Sequence, residues 1–201
     1  MTDPTPTPIV DLGPQTRIVA RLAEGVSDEQ FAGPTPCPAY AVRNLLGHLL
    51  GLAVAFRDAG RKDLGVTTDT SPEASMPDVG PGWREELPTV LEELAEAWRD
   101  PAAWTGMTRA GGVDLPGEVA GAVAVDELVI HGWDLARATG QDYEPDPEAL
   151  RAAHAFVTAA AEQPPGENKI FGPPVPVPAD APLLDRTVGL AGRDPHWTPR
   201  A

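Results

Sequence analysis

The sequence between residues 115 and 140 has the pattern of a long helix that is apolar on both sides, and such a helix must lie inside the fold. Pro116 suits a first helical turn, and Gly140 suits the left-handed residue that ends a helix. Glu127 and His131 lie one turn apart on the inner face, and buried charged groups need a partner. At 100° per residue, this inner face comprises Ala120, Val123, Ala124, Glu127, Ile130, His131, Asp134 and Ala138, and the opposite face comprises Val125, Val129 and Ala136.

Further segments have helical periodicity with capping residues or prolines near their ends. Pro88 lies inside the third of these patterns, so we expect a kink or a late start of that helix. A capping-box pattern at 27–30 predicts one additional short turn. The long patterns predict helices over 11–25, from 38 to 57 or 60, and over 83–98, 146–162 and 183–190.

The connections between these patterns are rich in proline, glycine and polar residues. We expect 61–81 to be a long irregular crossover, 102–114 to hold a short extended piece at 107–109, and 163–182 to be irregular. Nothing in the pattern requires a β-sheet. The predicted fold class is therefore all-α: a four-helix bundle with one long crossover and a C-terminal helical appendage.

A length of 201 residues suits one domain with a sizeable core. We expect a single domain over 1–201, with a tail at 1–10, the bundle at 11–140 and the appendage at 141–201. The formal net charge of −15 argues against nucleic acid or an anionic membrane surface as the main partner. No stretch is apolar and long enough for a membrane span.

Cysteine content and the first residues indicate a cytoplasmic protein. Cys37 is the only cysteine, which excludes an internal disulfide and a multi-cysteine zinc site. Its place between two prolines, before an apolar helix, favours a packing role over a reactive thiol. The first residues lack the basic and apolar regions of a signal peptide.

Three side chains have the chemistry and the placement of a metal site. His48 lies in the middle of the second helical pattern, and Glu127 and His131 lie on the central helix. Two imidazoles and a carboxylate suit zinc, and three protein ligands leave a fourth position for water or substrate. The alternative from spacing alone is that Glu127 pairs with His131 or a buried arginine, and that His48 is an ordinary core histidine.

Two motifs and two C-terminal segments of the chain resemble those of the DinB/YfiT-like superfamily. Within this superfamily, the chain is most similar to the branch of mycothiol-dependent maleylpyruvate isomerases and mycothiol S-transferases. The likeness covers nearly the whole chain and is strongest to a subgroup described as metal-binding proteins. The C-terminal segments are Phe171-Gly-Pro-Pro-Val-Pro-Val-Pro and Gly192-Arg-Asp-Pro. The motifs are Tyr40-Ala-Val-Arg43-Asn-Leu-Leu-Gly-His48-Leu and Asp126-Glu127-Leu-Val-Ile-His131-Gly-Trp-Asp134-Leu-Ala.

The resemblance implies a DinB-like bundle in which His48, Glu127 and His131 hold a divalent metal, commonly Zn²⁺, with Ni²⁺ as the alternative. Glu127 stands where many members have a third histidine, and Tyr40 where a tryptophan is frequent. The isomerase carries a full second domain that contributes to its pocket, whereas only about sixty residues follow the bundle here. We therefore do not transfer isomerase activity itself to this chain.

The hypothesis for function is a metal-dependent thiol transferase or isomerase. The metal would act as a Lewis acid that lowers the pKa of a small thiol such as mycothiol, which then attacks a small-molecule electrophile. Asp134 and Asp126 are the candidate catalytic acids, Asp134 as the acceptor for the free N–H of His131. Trp133 is the candidate to line a cofactor pocket, with simple core packing as its alternative.

Two other functions stay open at this point. A metal-binding or stress-response protein without turnover would act through partners. A zinc-dependent hydrolase would need Asp126 or Asp134 as a general base, because no other candidate lies near. The substrate, the native metal, the thiol and the choice between monomer and homodimer do not follow from the sequence.

Overall fold

The computed structural model describes residues 9–71, 74–163 and 171–199, and this part of the chain is mainly helical, as predicted. The expected tail at 1–8 and part of the proline-rich run, 164–170, lie outside the described residues. The helices are α1 Gly13–Glu24, α2 Val42–Arg61, α3 Val66–Asp69, α4 Trp83–Ala97, α5 Gly117–Thr139, α6 Pro147–Ala161 and α7 Leu183–Leu190. The strands are β1 Met107–Ala110 and β2 Val113–Pro116, and 3-10 turns occupy Asp28–Gln30 and Pro101–Trp104.

Four helices pack against one another in a ring. Helix α1 contacts α4 and α5, and α2 contacts the same two helices from the other side. Their inward faces form one apolar core in which side chains such as Leu46, Leu94 and Leu128 have no solvent exposure. Such burial is the main source of stability for helices of this length. The four-helix bundle stays a prediction, and this ring of contacts supports it.

The central helix begins and ends close to the predicted residues. Pro116 is the residue just before α5, and Gly140 ends the helix in the left-handed conformation, with φ of 70°. The predicted start of α6 is also confirmed, because the Asp146 carboxylate accepts hydrogen bonds from the N–H groups of Glu148 and Ala149 at 3.0 Å. Local capping chemistry therefore determined these boundaries.

The starts of α2 and α4 bear on two of the predictions. Helix α2 begins at Val42 and not at Pro38, because Ala41 is still extended and its N–H donates to the Asn44 side chain at 3.2 Å. Of the kink or late start expected for α4, the late start does not occur, since the helix begins at Trp83 and continues through Pro88. Pro88 follows the first turn, so only one intrahelical hydrogen bond is lost there.

The described parts of 61–81 and 102–114 contain more regular structure than predicted. The crossover contains the one-turn helix α3. Strands β1 and β2 form an antiparallel hairpin that extends the predicted piece at 107–109. Gly111 and Gly112 connect the strands with φ of 59° and 79°, the signs that a type I′ turn requires. Thr68 accepts a hydrogen bond from the Gly112 N–H at 2.8 Å, so the hairpin is fixed by α3.

The C-terminal segments pack against the central helix. Helix α6 contacts α5, and α7 contacts α6. A second apolar cluster between these helices comprises Ile130, Trp133, Val157, Val188 and Ala191. Because α5 supplies two of these residues, the C-terminal part completes the burial of the central helix. This packing supports the single-domain prediction, which stays a prediction.

Among the described residues, no helix combines the length and apolarity needed to cross a membrane.

Candidate metal centre

The antiparallel contact between α2 and α5 brings the three predicted ligand residues together. The Nε2 atom of His48 lies 3.2 Å from Oε2 of Glu127, and Nε2 of His131 lies 3.1 Å from the same oxygen. One ligand atom from each side chain lies within 4.8 Å of the others. Within the described ranges, this is the group of three acidic, histidine or cysteine side chains close enough for one ion. Their role as metal ligands stays a prediction.

The site lies at the boundary between core and solvent. The side chains of His48 and Glu127 are 14% and 21% exposed, whereas that of His131 is 9% exposed. The three residues therefore have one buried side, against the core, and one side that is partly exposed to solvent. Three protein ligands would leave a fourth coordination position, as catalytic zinc sites do.

The cluster perturbs the pKa values of its members. Burial alone would raise the pKa of the Glu127 carboxyl, but hydrogen bonds from His131 and His48 outweigh it and hold this pKa far below its usual range. Burial alone would lower the pKa of His131, but hydrogen bonds to Asp134 and Glu127 outweigh it and raise this pKa to about 9. Glu127 is therefore ionised, and its negative charge stabilises positive charge on the neighbouring imidazole.

His131 is oriented by a buried carboxylate. Asp134 has no solvent exposure, and its Oδ2 lies 2.9 Å from Nδ1 of His131. Burial alone would raise the pKa of Asp134, but the Arg193 charge and the His131 hydrogen bond outweigh it and keep the group ionised. A carboxylate only accepts, so Nδ1 of His131 carries a proton and Nε2 faces Glu127. The role of Asp134 as the acceptor for the free N–H of His131 stays a prediction, and this geometry supports it.

Arg193 is a residue of this site that the sequence reasoning did not assign. Its Nη2 donates to Oδ2 of Asp134 at 3.0 Å, and its Nε lies 3.4 Å from Oδ1. The signal was present in the Gly192-Arg-Asp-Pro segment, but nothing in that segment says which helix it reaches. Gly192 has φ of 81°, and a Cβ there would lie 3.1 Å from Gly172, so the tight turn that places Arg193 requires glycine.

Asp126 and Trp133 lie deeper than the ligand cluster. Asp126 is 2% exposed, and its Oδ1 has no hydrogen-bond partner within the described part of the chain. Burial, reinforced by the nearby Glu127 charge, raises the pKa of the Asp126 carboxyl well above its usual range. Trp133 is 3% exposed and packs in the second apolar cluster. The catalytic role of Asp126 and the pocket-lining role of Trp133 stay predictions.

Two neighbours of His48 come from the irregular segments before and after α2. The Tyr40 ring lies 5.2 Å from the His48 ring, centre to centre. The segment 74–80 crosses α2 beside the ligand, where Asn44 donates to the Pro77 carbonyl at 2.8 Å and Arg43 pairs with Asp78 at 2.7 Å. These contacts fix the outer side of the site.

The donor set fits a divalent transition metal. Two imidazole nitrogens and one carboxylate oxygen are a borderline set that suits zinc or nickel better than magnesium or calcium, which prefer oxygen ligands. The Nδ1–H···Asp134 contact of His131 is the usual outer support of a metal-bound histidine. At the observed distances, either protons on both Nε2 atoms or one cation would join the two rings to Glu127.

Comparison with known proteins finds similar sequences and similar structures. The chain is 29% identical over 180 residues to the Mycobacterium tuberculosis proteins Uncharacterized protein Rv0738 (strain ATCC 25618 / H37Rv) and Uncharacterized protein MT0763 (strain CDC 1551 / Oshkosh), which covers 87% of this chain and 91% of each relative. Crystal structures of the mycothiol-dependent maleylpyruvate isomerase and of one mutant align with a TM-score of 0.47 and 20% identity. That alignment covers 72% of this chain and 65%, less than two thirds, of the isomerase chain.

The family model for the mycothiol maleylpyruvate isomerase N-terminal domain matches residues 12–136, which is more than half of the chain. The match confirms the resemblance to the mycothiol-dependent branch. It includes α1, α2 and most of α5, and with them all three candidate ligands. This chain therefore belongs to the mycothiol maleylpyruvate isomerase N-terminal domain family.

Proposed function

We propose that this protein binds one divalent metal ion and catalyses a transferase or isomerase reaction that depends on a low-molecular-weight thiol of the mycothiol type. The observation that carries the proposal is the convergence of His48, Glu127 and His131 at a partly exposed point between α2 and α5. Membership of the mycothiol maleylpyruvate isomerase N-terminal domain family supports the thiol. The ring of α1, α2, α4 and α5 supports a four-helix bundle as the scaffold.

His48, Glu127 and His131 are the residues that would hold the ion. When bound, a Zn²⁺ or Ni²⁺ ion would supply Lewis-acid chemistry, namely a lowered pKa for a thiol that it contacts. Glu127 adds the negative charge that holds a cation at the edge of an apolar core. The partial exposure of His48 and Glu127 supports approach of a small thiol from the solvent side.

The other side chains of the site orient these three. Asp134 accepts a hydrogen bond from the Nδ1–H group of His131, so the ring keeps one tautomer and presents Nε2 to the site. Arg193 neutralises the buried Asp134 carboxylate and stops it from rotating. The C-terminal segment thereby contributes to the site without contacting the open side. Asp134 is a positioning residue in this proposal.

Metal analysis followed by a conjugation assay tests the proposal. The protein is purified without chelators, its metal content is measured by mass spectrometry, and it is then mixed with mycothiol and a panel of small electrophiles. We expect about one Zn²⁺ or Ni²⁺ per chain and a thiol adduct or isomerised product that requires protein, metal and mycothiol together. His48→Ala should keep its helical circular dichroism and lose both metal and activity.

Three other outcomes of these measurements would count against the proposal. Thiol-dependent activity in well-folded, metal-free His48→Ala would refute the proposed role of the metal. One ion per chain without any turnover across the panel would instead favour the alternative, a non-catalytic metal-binding protein that acts through partners. Turnover of hydrolysable esters without thiol would favour the hydrolase.

A further inference from the structure

A groove on the C-terminal side of the molecule is separate from the metal centre. It lies between α6, α7 and the extended segment 174–177, and none of its residues belongs to the ligand cluster or contacts it. Its volume is about 450 Å³, within the range of small-molecule sites. The lining residues are His154, Thr158, Pro174, Val175, Pro176, Val177, Arg186 and Leu190.

One wall of the groove is built by a close backbone approach. The Val175 N–H donates to the Gly189 carbonyl of α7 at 2.9 Å. A Cβ on Gly189 would lie 2.4 Å from Cγ2 of Val177 and 3.0 Å from the Val175 carbonyl oxygen, so only glycine permits this packing. The wall is therefore a fixed part of the fold.

The polar side chains that line the groove are His154, Thr158 and Arg186. Hydrogen bonds within the protein already satisfy His154 and Thr158. The Thr158 hydroxyl donates to the His154 carbonyl at 2.7 Å. The Thr187 hydroxyl donates its single proton to the Leu183 carbonyl at 2.7 Å, so it accepts from Nδ1–H of His154, 3.1 Å away. Burial, together with the charge of Arg186, lowers the pKa of His154, which keeps this ring neutral.

Arg186 is the exception. Among the described residues, none accepts a hydrogen bond from its buried Nε atom, and none forms an ion pair with its guanidinium. A buried donor without an acceptor is costly, and such groups are rare in native proteins. Acidic residues outnumber lysine and arginine by 30 to 15 in this chain, so partners are not scarce. The position leaves a single positive charge facing an apolar groove.

We propose that this groove binds a small organic monocarboxylate, with the carboxylate on Arg186 and the hydrocarbon part against Pro174, Val177 and Leu190. A guanidinium pairs with a carboxylate in a planar, two-bond geometry. The apolar wall disfavours a bare inorganic anion, and the single charge disfavours a dianion such as phosphate. The site is independent of the thiol chemistry proposed above.

Calorimetric titration of the full-length protein tests the site, with sodium hexanoate as the probe. Hexanamide keeps the hydrocarbon and removes the charge, and inorganic phosphate keeps the charge and removes the hydrocarbon. We expect saturable binding of one hexanoate per chain, and binding of hexanamide and phosphate that is at least about 10-fold weaker. Equal binding of hexanamide, strong binding of phosphate, or no saturable hexanoate binding would each overturn the proposal.

Matched arginine variants locate the binding. Arg186→Gln should weaken hexanoate binding at least about 10-fold, whereas Arg151→Gln, an exposed arginine on α6, should leave it unchanged. Arg186→Lys keeps the charge without the planar pair of donors and should be intermediate. Hexanoate affinity that is equal in wild type and in either Arg186 variant would refute the site, and metal content should be unchanged in all variants.

Thermal unfolding separates a binding role of Arg186 from a structural one. Because its guanidinium has no acceptor among the described residues, Arg186→Gln should unfold at the wild-type temperature or higher. Hexanoate should raise the unfolding temperature of wild type and of Arg151→Gln but not that of Arg186→Gln. A clear loss of stability in Arg186→Gln and Arg186→Lys, with no hexanoate effect on wild type, would show that Arg186 is structural.

Discussion

At the scale of single residues, the properties of His131 come from a chain of two buried contacts. Asp134 fixes its tautomer, and Arg193 balances the charge of Asp134. Each link is expensive to break, because removal of one partner leaves the other charged or polar group buried without compensation. The cost of a substitution here therefore depends more on the residue left behind than on the contact removed.

Asp134→Asn should be strongly destabilising and should also weaken metal binding. Arg193, with a side chain that is 12% exposed, would lose its counter-charge, which costs about 3 kcal/mol in the free energy of unfolding. Without a full acceptor for its Nδ1–H, His131 would bind metal about 10- to 100-fold more weakly. Urea unfolding and metal titration measure the two effects.

Asp142→Asn is the control for that substitution, because Asp142 is exposed. It should change the free energy of unfolding by less than about 0.5 kcal/mol. The double variant Asp134→Asn/Arg193→Gln should lose less stability than the two single variants added together. Additive losses would mean that the two side chains do not act as a pair.

Glu127→Gln separates the charge of the ligand from its shape. We expect metal affinity to fall by about 100-fold or more, since a carboxylate ligand is replaced by a neutral amide. The helices should stay folded, because relief of carboxylate burial offsets part of the lost hydrogen bonding. The helical circular dichroism signal should be the same for three samples: the variant, chelator-treated wild type, and the control Glu92→Gln at an exposed site. Loss of helix on chelation would instead identify a structural metal.

At the scale of elements, two glycines of α2 have opposite environments on either side of His48. A Cβ on Gly47 would lie 2.6 Å from the backbone of Asp78, whereas a Cβ on Gly51 would meet no atom within 4 Å. Gly47 therefore permits the segment 74–80 to cross the helix beside the candidate metal centre. Gly51 is exposed and weakens the helix relative to alanine.

Gly47→Ala and Gly51→Ala should change stability in opposite directions. Gly51→Ala should raise the free energy of unfolding by up to about 1 kcal/mol, because alanine is the better helix former. Gly47→Ala should lower it by about 1–3 kcal/mol, because the backbone of Asp78 has to move. Urea unfolding midpoints measure both. The same sign for both variants would contradict the close crossing.

At the scale of the whole molecule, the C-terminal segments are part of the core of the central helix. Ile130 and Trp133 of α5 pack with Val157 of α6 and Val188 of α7. The buried pair Asp134–Arg193 joins the same two parts of the chain. We therefore expect one cooperative unfolding transition for the whole protein.

An isolated fragment of residues 146–201 should not fold cooperatively. Its apolar residues lose their partners on α5, and a chain of about 55 residues has little core of its own without disulfides or metal. Calorimetry of the fragment checks this expectation, with the full-length chain as the control. A sharp unfolding transition of the fragment alone would show that it is a separate domain.

The sequence by itself determined features that depend on neighbours along the chain. The C-terminal end of α5 follows from the Gly140 backbone, and the start of α6 follows from the Asp146 side chain, and both act within a few residues. Glu127 and His131 share a face because helix geometry places residues four apart on one side. The apolar pattern on both sides of α5 predicted its burial.

Only the tertiary structure decided features that join distant segments. Glu127 meets His48 across 79 residues, and Asp134 meets Arg193 across 59, and the spacing of residue types does not encode those distances. The sequence pattern also did not reveal the hairpin of β1 and β2, which is held by a hydrogen bond to α3. Local rules fix φ, ψ and the side-chain periodicity, whereas a contact between helices depends on how their apolar faces pack against the same core.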